Sequence, residues 1–369
     1  MRVQRVLLDD RDDVSWTVLG RDHEPLAPVE AWLTHLSNVR RSPNTQKAYA
    51  TDLRDYFVFL EQRRADWRRP DLELIGEWTA WLRRPTKARA ENVIVLGSLP
   101  PQCSEATVSR KLSAVGSFYD FHARRGLDSG VVDLFWREAT GGRRGGSWKP
   151  FLQDITPVRQ RRREIPVKVP RREPRLRTEA EVQTLLDACT RLRDRFLLSL
   201  LFTTGVRIGE ALGARHEDLV PRKGEFRVVD RVNDNQVRAK TGARTIPAPP
   251  DLMRLYADYI TDEYGALDSD YVFVNLWSGR RGAPMTYASA HDLATRLRRA
   301  TGIPFEFHQL RHTYATRLLR RGVAVEVVQK LLGHRHVTTT IDTYAHLDDA
   351  DVRRQLDAVG FFEHAEVRL

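Results

Sequence analysis

Cysteine is nearly absent. Cys103 and Cys189 are the only two in 369 residues, far apart and without C-x-x-C spacing, which excludes a disulfide framework and a cysteine metal site. Long apolar runs are missing as well. The strongest, Phe196 to Phe202, is interrupted by Ser199 and falls far short of the roughly 20 residues that span a bilayer, so no membrane is expected among the partners. Val6-Leu7-Leu8 precedes Asp9 and Asp10, too short and too acidic for a signal peptide, and the expected location is the cytoplasm. Compositional bias is also lacking: 41% hydrophobic residues with 22 Gly and 18 Pro argue against disorder and fibrous repeats. The length is ample for two domains with cores of their own.

What is present in excess is positive charge, and it is concentrated. Between Arg137 and Arg177 stand 13 lysines and arginines against four acids, so +9 of the chain's formal +11 falls in one stretch. Gly141-Gly142, Gly145-Gly146 and five prolines from Pro150 to Pro174 punctuate it, and no helical period is sustained there. It reads as an extended basic linker. A strap of this kind is either solvated chain or one that lies along a phosphate backbone, where each neutralised phosphate releases counterions.

Either side of the linker the patterns differ. Residues 1–24 read as a hairpin with an Asp-rich turn at Asp9 to Asp13 and suggest no function. From Pro28 to about Arg125 four amphipathic helices are expected, two of them opened by Ser42-Pro43-Asn44 and by Ser104 or Thr107. Arg40, Arg41 and Lys47, then Lys87 and Arg89, then Arg110 and Lys111 stand beside their apolar faces. Any one of these ordinarily just keeps a surface soluble. Beyond the linker, Thr178 followed by Glu181 has the chemistry of a capping box. A buried helix over 195–202 then breaks at Thr203-Thr204-Gly205 and resumes over 206–212. Strands are expected over 226–232 and 236–246, and helices over 250–264, 287–300, 308–320 and 325–332.

Four segments of this second half are polar where core packing would not ask for it. They are Thr204 to Glu210, Ala239 to Pro247, His308 to Thr313, and Leu332-Gly333-His334 with Thr343 to His346. From them two arginines, a lysine, two histidines and a tyrosine form a cationic set suited to a phosphodiester, whose non-bridging oxygens fit arginine's planar fork. Taken singly, Arg207 is an ion-pair residue with Glu210 at hand, Tyr344 a core tyrosine, and His312, His336 and His346 structural. Their joint occurrence reverses those odds.

The order and spelling of these segments resemble the tyrosine recombinase (phage integrase) family over about 177–347, and the helical region near 28–125 looks like that family's core-binding domain. The resemblance implies two mainly α-helical domains with a small antiparallel β-sheet, closing as a clamp on double-stranded DNA. It further implies that Arg207 and Arg311 hold the scissile phosphate and that Tyr344 is the nucleophile. His308 would accept the tyrosine's proton, Lys240 would protonate the leaving 5′ oxygen, and His334 would hydrogen-bond a phosphate oxygen. Glu210 would orient this region. Lys240 is favoured over Lys223, which sits in a turn ahead of the strands.

The division expected is a hairpin-like segment 1–24, a helical DNA-binding domain 25–130, a basic linker 131–176, a catalytic domain 177–350 and a tail 351–369. Arg40, Arg41, Lys47, Lys87, Arg110, Lys111, Arg161, Arg162 and Arg163 are the expected DNA contacts. No metal, nucleotide or other cofactor is expected, because the cations already supply positive charge. Recombinases of this kind imply a homotetramer on DNA, with accessory proteins in some systems, serving integration, excision or transposition of a mobile element. The tail, with Val352, Leu356, Val359 and Phe361-Phe362, would dock on a neighbour or on its own domain.

Three rivals remain. A type IB topoisomerase shares the chemistry. A helix-turn-helix regulator built on 325–346 would explain the charge but leave Arg207, Lys240 and Arg311 without roles. A zinc hydrolase is suggested by His308 and His312 four apart, but Gln309 stands where H-E-x-x-H needs its general base.

Overall fold

The computed structural model describes residues 1–7, 14–84, 102–128, 130–138, 161–168, 175–235, 237 and 242–334. The chain separates into two units, Met1–Arg171 and Arg172–Leu369. Among the described residues no helix is long and apolar enough to cross a membrane.

In the first unit, α1 (Ala27–Asn38), α2 (Pro43–Arg63), α3 (Leu72–Arg83) and α4 (Glu105–Ala123) surround an aromatic core. Their starts are local chemistry: Ser42, Asp71 and Ser104 each accept a backbone N–H from three residues on, at 3.2, 2.7 and 3.3 Å, and Pro43 tolerates the first helical turn. Tyr56, Trp78, Phe118 and Tyr119 are fully enclosed. Tyr56 donates to the Tyr119 hydroxyl at 2.8 Å and Tyr119 to the Trp67 carbonyl at 2.8 Å, so the buried phenols are satisfied. The strands β1 (Arg2–Leu7) and β2 (Val14–Leu19) pair antiparallel, Arg2 opposite Leu19, and β2 packs on α1 and α2. A single turn, α5 (Gly130–Asp133), leads to β3 (Trp136–Glu138).

Part of the basic stretch folds onto this unit. Residues 161–163 form β4 (Arg161–Arg163) antiparallel to β3. Glu164 donates its backbone N–H to the Phe135 carbonyl at 3.1 Å, and Ile165 and Val167 pack on the core of this unit. The apolar residues between the arginines are the reason: they find a hydrophobic surface to cover.

The second unit begins with α6 (Glu179–Asp187), opened by the Thr178–Glu181 capping box. The central α7 (Leu192–Thr204) buries Phe196, Leu197, Leu198, Leu200 and Leu201 on several faces of its middle turns, as an enclosed helix does. A five-residue α8 (Ile208–Leu212) follows. The sheet is three-stranded and antiparallel in the order β5 (Leu219–Val220), β6 (Glu225–Val228), β7 (Arg244–Pro247). Its strands are shorter than the sequence pattern suggests. Asp234 donates its N–H to the Tyr271 hydroxyl at 2.8 Å, and the Asn235 amide donates to the carbonyls of Leu212 and Met285 at 3.0 and 2.8 Å. Those contacts pull the connection out of the ladder.

Helices α9 (Pro250–Tyr259), α10 (Tyr287–Thr301), α11 (Phe307–Arg320) and α12 (Val325–Leu332) complete the unit. The single helix expected over 250–264 ends instead in a π-turn, Ile260–Tyr264, closed by Gly265.

Candidate active site

Gly205 ends α7 in the left-handed region at φ 64°, and a Cβ there would lie 2.2 Å from Cδ1 of Tyr314. Only glycine permits both the turn and the approach. The end of α7 is thereby laid against α11, and the chain turns so that Arg207 becomes the residue that starts α8. From α11, the guanidinium of Arg311, 1% exposed, donates through Nη1 to the Gly205 carbonyl at 2.8 Å and through Nη2 to the Leu332 carbonyl at 2.7 Å. Arg207 Nη1 reaches the same Leu332 oxygen at 3.5 Å. Two guanidinium groups from opposite ends of the sequence of this unit thus converge on one carbonyl at the C-terminal end of α12, where the helix dipole favours cations.

Glu210 supports this pair from within, 6% exposed. Its carboxylate accepts the Arg207 backbone N–H at 2.9 Å, Arg207 Nη1 at 3.0 Å and Arg244 Nη2 at 2.7 Å. Burial alone would raise its pKa, but the Arg244 and Arg207 contacts overcome that and bring it from 4.5 to about 2. Arg244, projecting from β7, also donates Nε to the Leu331 carbonyl at 2.7 Å. One carboxylate therefore serves two guanidiniums, while neutral carbonyls take other donors. The cluster keeps a positive excess.

The histidines face this field. His308, in the first turn of α11, is open to solvent on one side. The protein wall behind it, with Arg311 and Arg207, lowers its pKa, so it is neutral and able to accept a proton. His312 stands edge-on to it with ring centroids 4.2 Å apart. His334 follows Gly333, which ends α12 at φ 66°; burial and then Arg311, Arg207, Arg244 and His308 bring His334 to about 4. Arg207, Arg311, His308 and His334 are therefore brought together. Lys240 and Tyr344 lie outside the described residues, as do Lys87, Arg89 and the tail. Lys223 is exposed in a turn between β5 and β6.

Of the residues expected to contact DNA, Arg40, Arg41 and Lys47 are exposed at the α1–α2 turn and the start of α2. Lys47 Nζ sits 4.8 Å from the centroid of Trp16. The backbone of Arg161, Arg162 and Arg163 runs in β4. Lys111 is a correction. Its side chain is 5% exposed, with Nζ 3.0 Å from Asp52 and 2.7 Å from Asp55, so it is an internal counter-ion and unavailable to a phosphate. Arg110 is half-exposed, but both of its terminal nitrogens donate to Asp52.

Residues 175–351 match the phage integrase family and residues 29–126 the phage integrase N-terminal SAM-like domain. Transposase A from transposon Tn554 of Staphylococcus aureus is 37% identical over 360 residues, 97% of each chain. The chain belongs to the phage integrase family. It is an enzyme of the tyrosine recombinase type, and its activity is site-specific DNA recombination. The tyrosine recombinase XerC of Staphylococcus saprophyticus is 26% identical, covering 85% of this chain and 90% of its own. In fold the chain is similar to the integrase of transposon Tn1549, solved with transposon right-end DNA, at a TM-score of 0.60 and 18% identity over 90% of this chain and 98% of that one. Lambda integrase, solved as a dimer on a core site, gives 0.57 and 17% over 88% and 78%.

Two residues of this tyrosine recombinase escape a reading of its sequence. Arg244 lies in a segment the motif singles out, yet nothing in the spacing says that it shares Glu210 with Arg207. Arg177 looks like the last cation of the linker, whereas its side chain is 8% exposed and bonded within the second unit.

Proposed function

We propose that this recombinase cuts and rejoins duplex DNA of a mobile element through a 3′-phosphotyrosine intermediate. The convergence of Arg207 and Arg311 on the single carbonyl of Leu332 carries the reading, because it aims two planar cations at one oxygen. The scissile phosphate's non-bridging oxygens would bind beside this pair of guanidiniums, and the charge that grows on them in the pentacoordinate transition state would be held by both. Tyr344 Oη attacks the phosphorus and the bond to the 5′ oxygen breaks. Neutral His308 accepts the phenolic proton, Lys240 supplies a proton to the departing 5′ oxygen, and His334 hydrogen-bonds a phosphate oxygen. Attack by an incoming 5′ hydroxyl reverses each transfer, so the bond energy is conserved and no external energy source enters.

The partner in this reading is double-stranded DNA, exchanged within a homotetramer. Arg40, Arg41 and Lys47 serve as backbone contacts of the first unit. The likeness to a transposase over nearly the whole chain favours transposition as the biological role. Tyr344→Phe is the test. On a nicked suicide duplex carrying the element end, the wild type accumulates a covalent protein–DNA adduct, and Tyr344→Phe binds equally well but forms none. Persistence of the adduct in Tyr344→Phe transfers the nucleophile to another residue. Relaxation of a supercoiled plasmid with no exchange between two sites favours the topoisomerase alternative.

A further inference from the structure

We propose that Arg177 is a positioning residue for His308, acting through Gln309; the inference rests on the strand-cleavage reading above. Arg177 is drawn wholly into the second unit, where four groups accept its protons. Its backbone N–H donates to Thr313 Oγ1 at 2.9 Å, Nε to Gln309 Oε1 at 2.9 Å, Nη1 to Glu181 at 2.8 Å and Nη2 to the Pro304 carbonyl at 2.8 Å. Three of those acceptors belong to α11 or to the chain entering it.

Gln309 is the pivot. Its Oε1 also accepts the backbone N–H of Glu306 at 3.1 Å, the reciprocal half of the cap that starts α11. Arg177 Nε therefore holds in place the amide that closes the first helical turn, and Nη2 fixes Pro304 just upstream. His308 sits inside that turn. The residue whose identity rules out the zinc-hydrolase motif thus has a use of its own. A glutamine at this position supplies the acceptor that closes the helix start. Arg317 ties the far end of the same helix to Glu179 at 2.9 Å, so residues 177–179 brace α11 at two levels. A proton acceptor misplaced by about 1 Å costs on the order of 100-fold in rate, which is the scale of effect expected when this brace is removed.

The measurement is single-turnover adduct formation on the nicked duplex, with the dissociation constant determined in parallel by fluorescence anisotropy on the same DNA. Arg177→Ala is expected to slow adduct formation by about 10- to 100-fold with the dissociation constant within about twofold. Gln309→Met, which keeps the shape but loses the acceptor, should reproduce that loss. Gln309→Glu, which keeps the acceptor, should retain adduct formation. The double variant Arg177→Ala/Gln309→Met should be no slower than either single change, since both remove one device. Additive losses, or an Arg177→Ala that cleaves at the wild-type rate, overturn the proposal while leaving the function intact. A wild type that forms no adduct overturns both. Should Arg177→Ala fail to fold, the Gln309→Met and Gln309→Glu pair decides, because neither alters a buried charge present in the wild type.

Discussion

Each unit of this recombinase contains a cluster of basic side chains around buried carboxylate, and the two clusters are built to opposite ends. In the first, Asp52 and Asp55 face Lys111, Arg110 and Arg54, and each carboxylate is matched at close range. Lys111 keeps the Asp55 pKa below its ordinary value in spite of burial. Two carboxylates there offset two of the three cations, and the cluster joins α2 to α4. In the second unit Glu210 is the carboxylate that, among the described residues, stands with Arg207, Arg244 and Arg311, and other donors described for them end on carbonyls at the ends of α7 and α12. A carbonyl satisfies a hydrogen-bond donor without cancelling its charge. In the proposed reading, what accepts the protons of such cations decides whether they build a scaffold or a phosphate site.

Arg311 offers the sharpest way to break the contrast. Arg311→Ala strips the site of its most enclosed cation and leaves the Gly205 and Leu332 carbonyls without this donor. Single-turnover adduct formation should fall by on the order of 1000-fold, together with a loss of about 2 kcal/mol or more in urea unfolding. An Arg311→Ala that cleaves within tenfold of the wild type would remove the site reading of this cluster.

Glu210→Gln tests whether the single carboxylate is the structural counterweight. The folded pKa of Glu210 is depressed, so its contribution is complete above 4.5 and declines as pH falls toward about 2. The stabilisation at neutral pH is about 3 kcal/mol, an order-of-magnitude figure from the size of that depression. Urea midpoints measured from pH 6 to pH 2.5 should drop more steeply for the wild type than for Glu210→Gln, and the two curves should approach each other at the acid end. Parallel curves would mean that Glu210 does not carry this charge balance.

The smallest effect is expected at Lys111. Lys111→Met leaves Asp52 with Arg110 and Asp55 with Arg54, and methionine fills the volume, so stability should change by about 1 kcal/mol or less in either direction. DNA affinity should stay within about twofold, with the slope of log K against log salt unchanged. A slope lower by about 1 would return Lys111 to the phosphate contacts.

Much of the candidate site is legible in the sequence because its signals are local. Gly205 and Gly333 mark helix ends, and each is followed at once by residues of the site. Arg207, the His308-x-x-Arg311 pair and His334 are identified by order and near neighbours. Lys111 misled for an equally physical reason: a lysine beside an apolar face reads as a surface cation unless Asp52 and Asp55, a whole helix away in sequence, are known to face it. The strand lengths failed similarly, since Asn233 to Asn235 look like a simple hairpin turn and only their contacts with Tyr271, Leu212 and Met285 show that they leave the ladder.

The sequence by itself determined the helix starts and stops, the excess of positive charge and the family, because caps act over three residues and a motif is recognised by residue type in order. Tertiary structure alone decided which cations keep their charge. Arg244 finds Glu210 across 34 residues, Arg207 reaches Leu332 across 125 and Arg177 reaches Gln309 across 132. At such separations the choice of acceptor depends on how helices pack, and no local pattern encodes it.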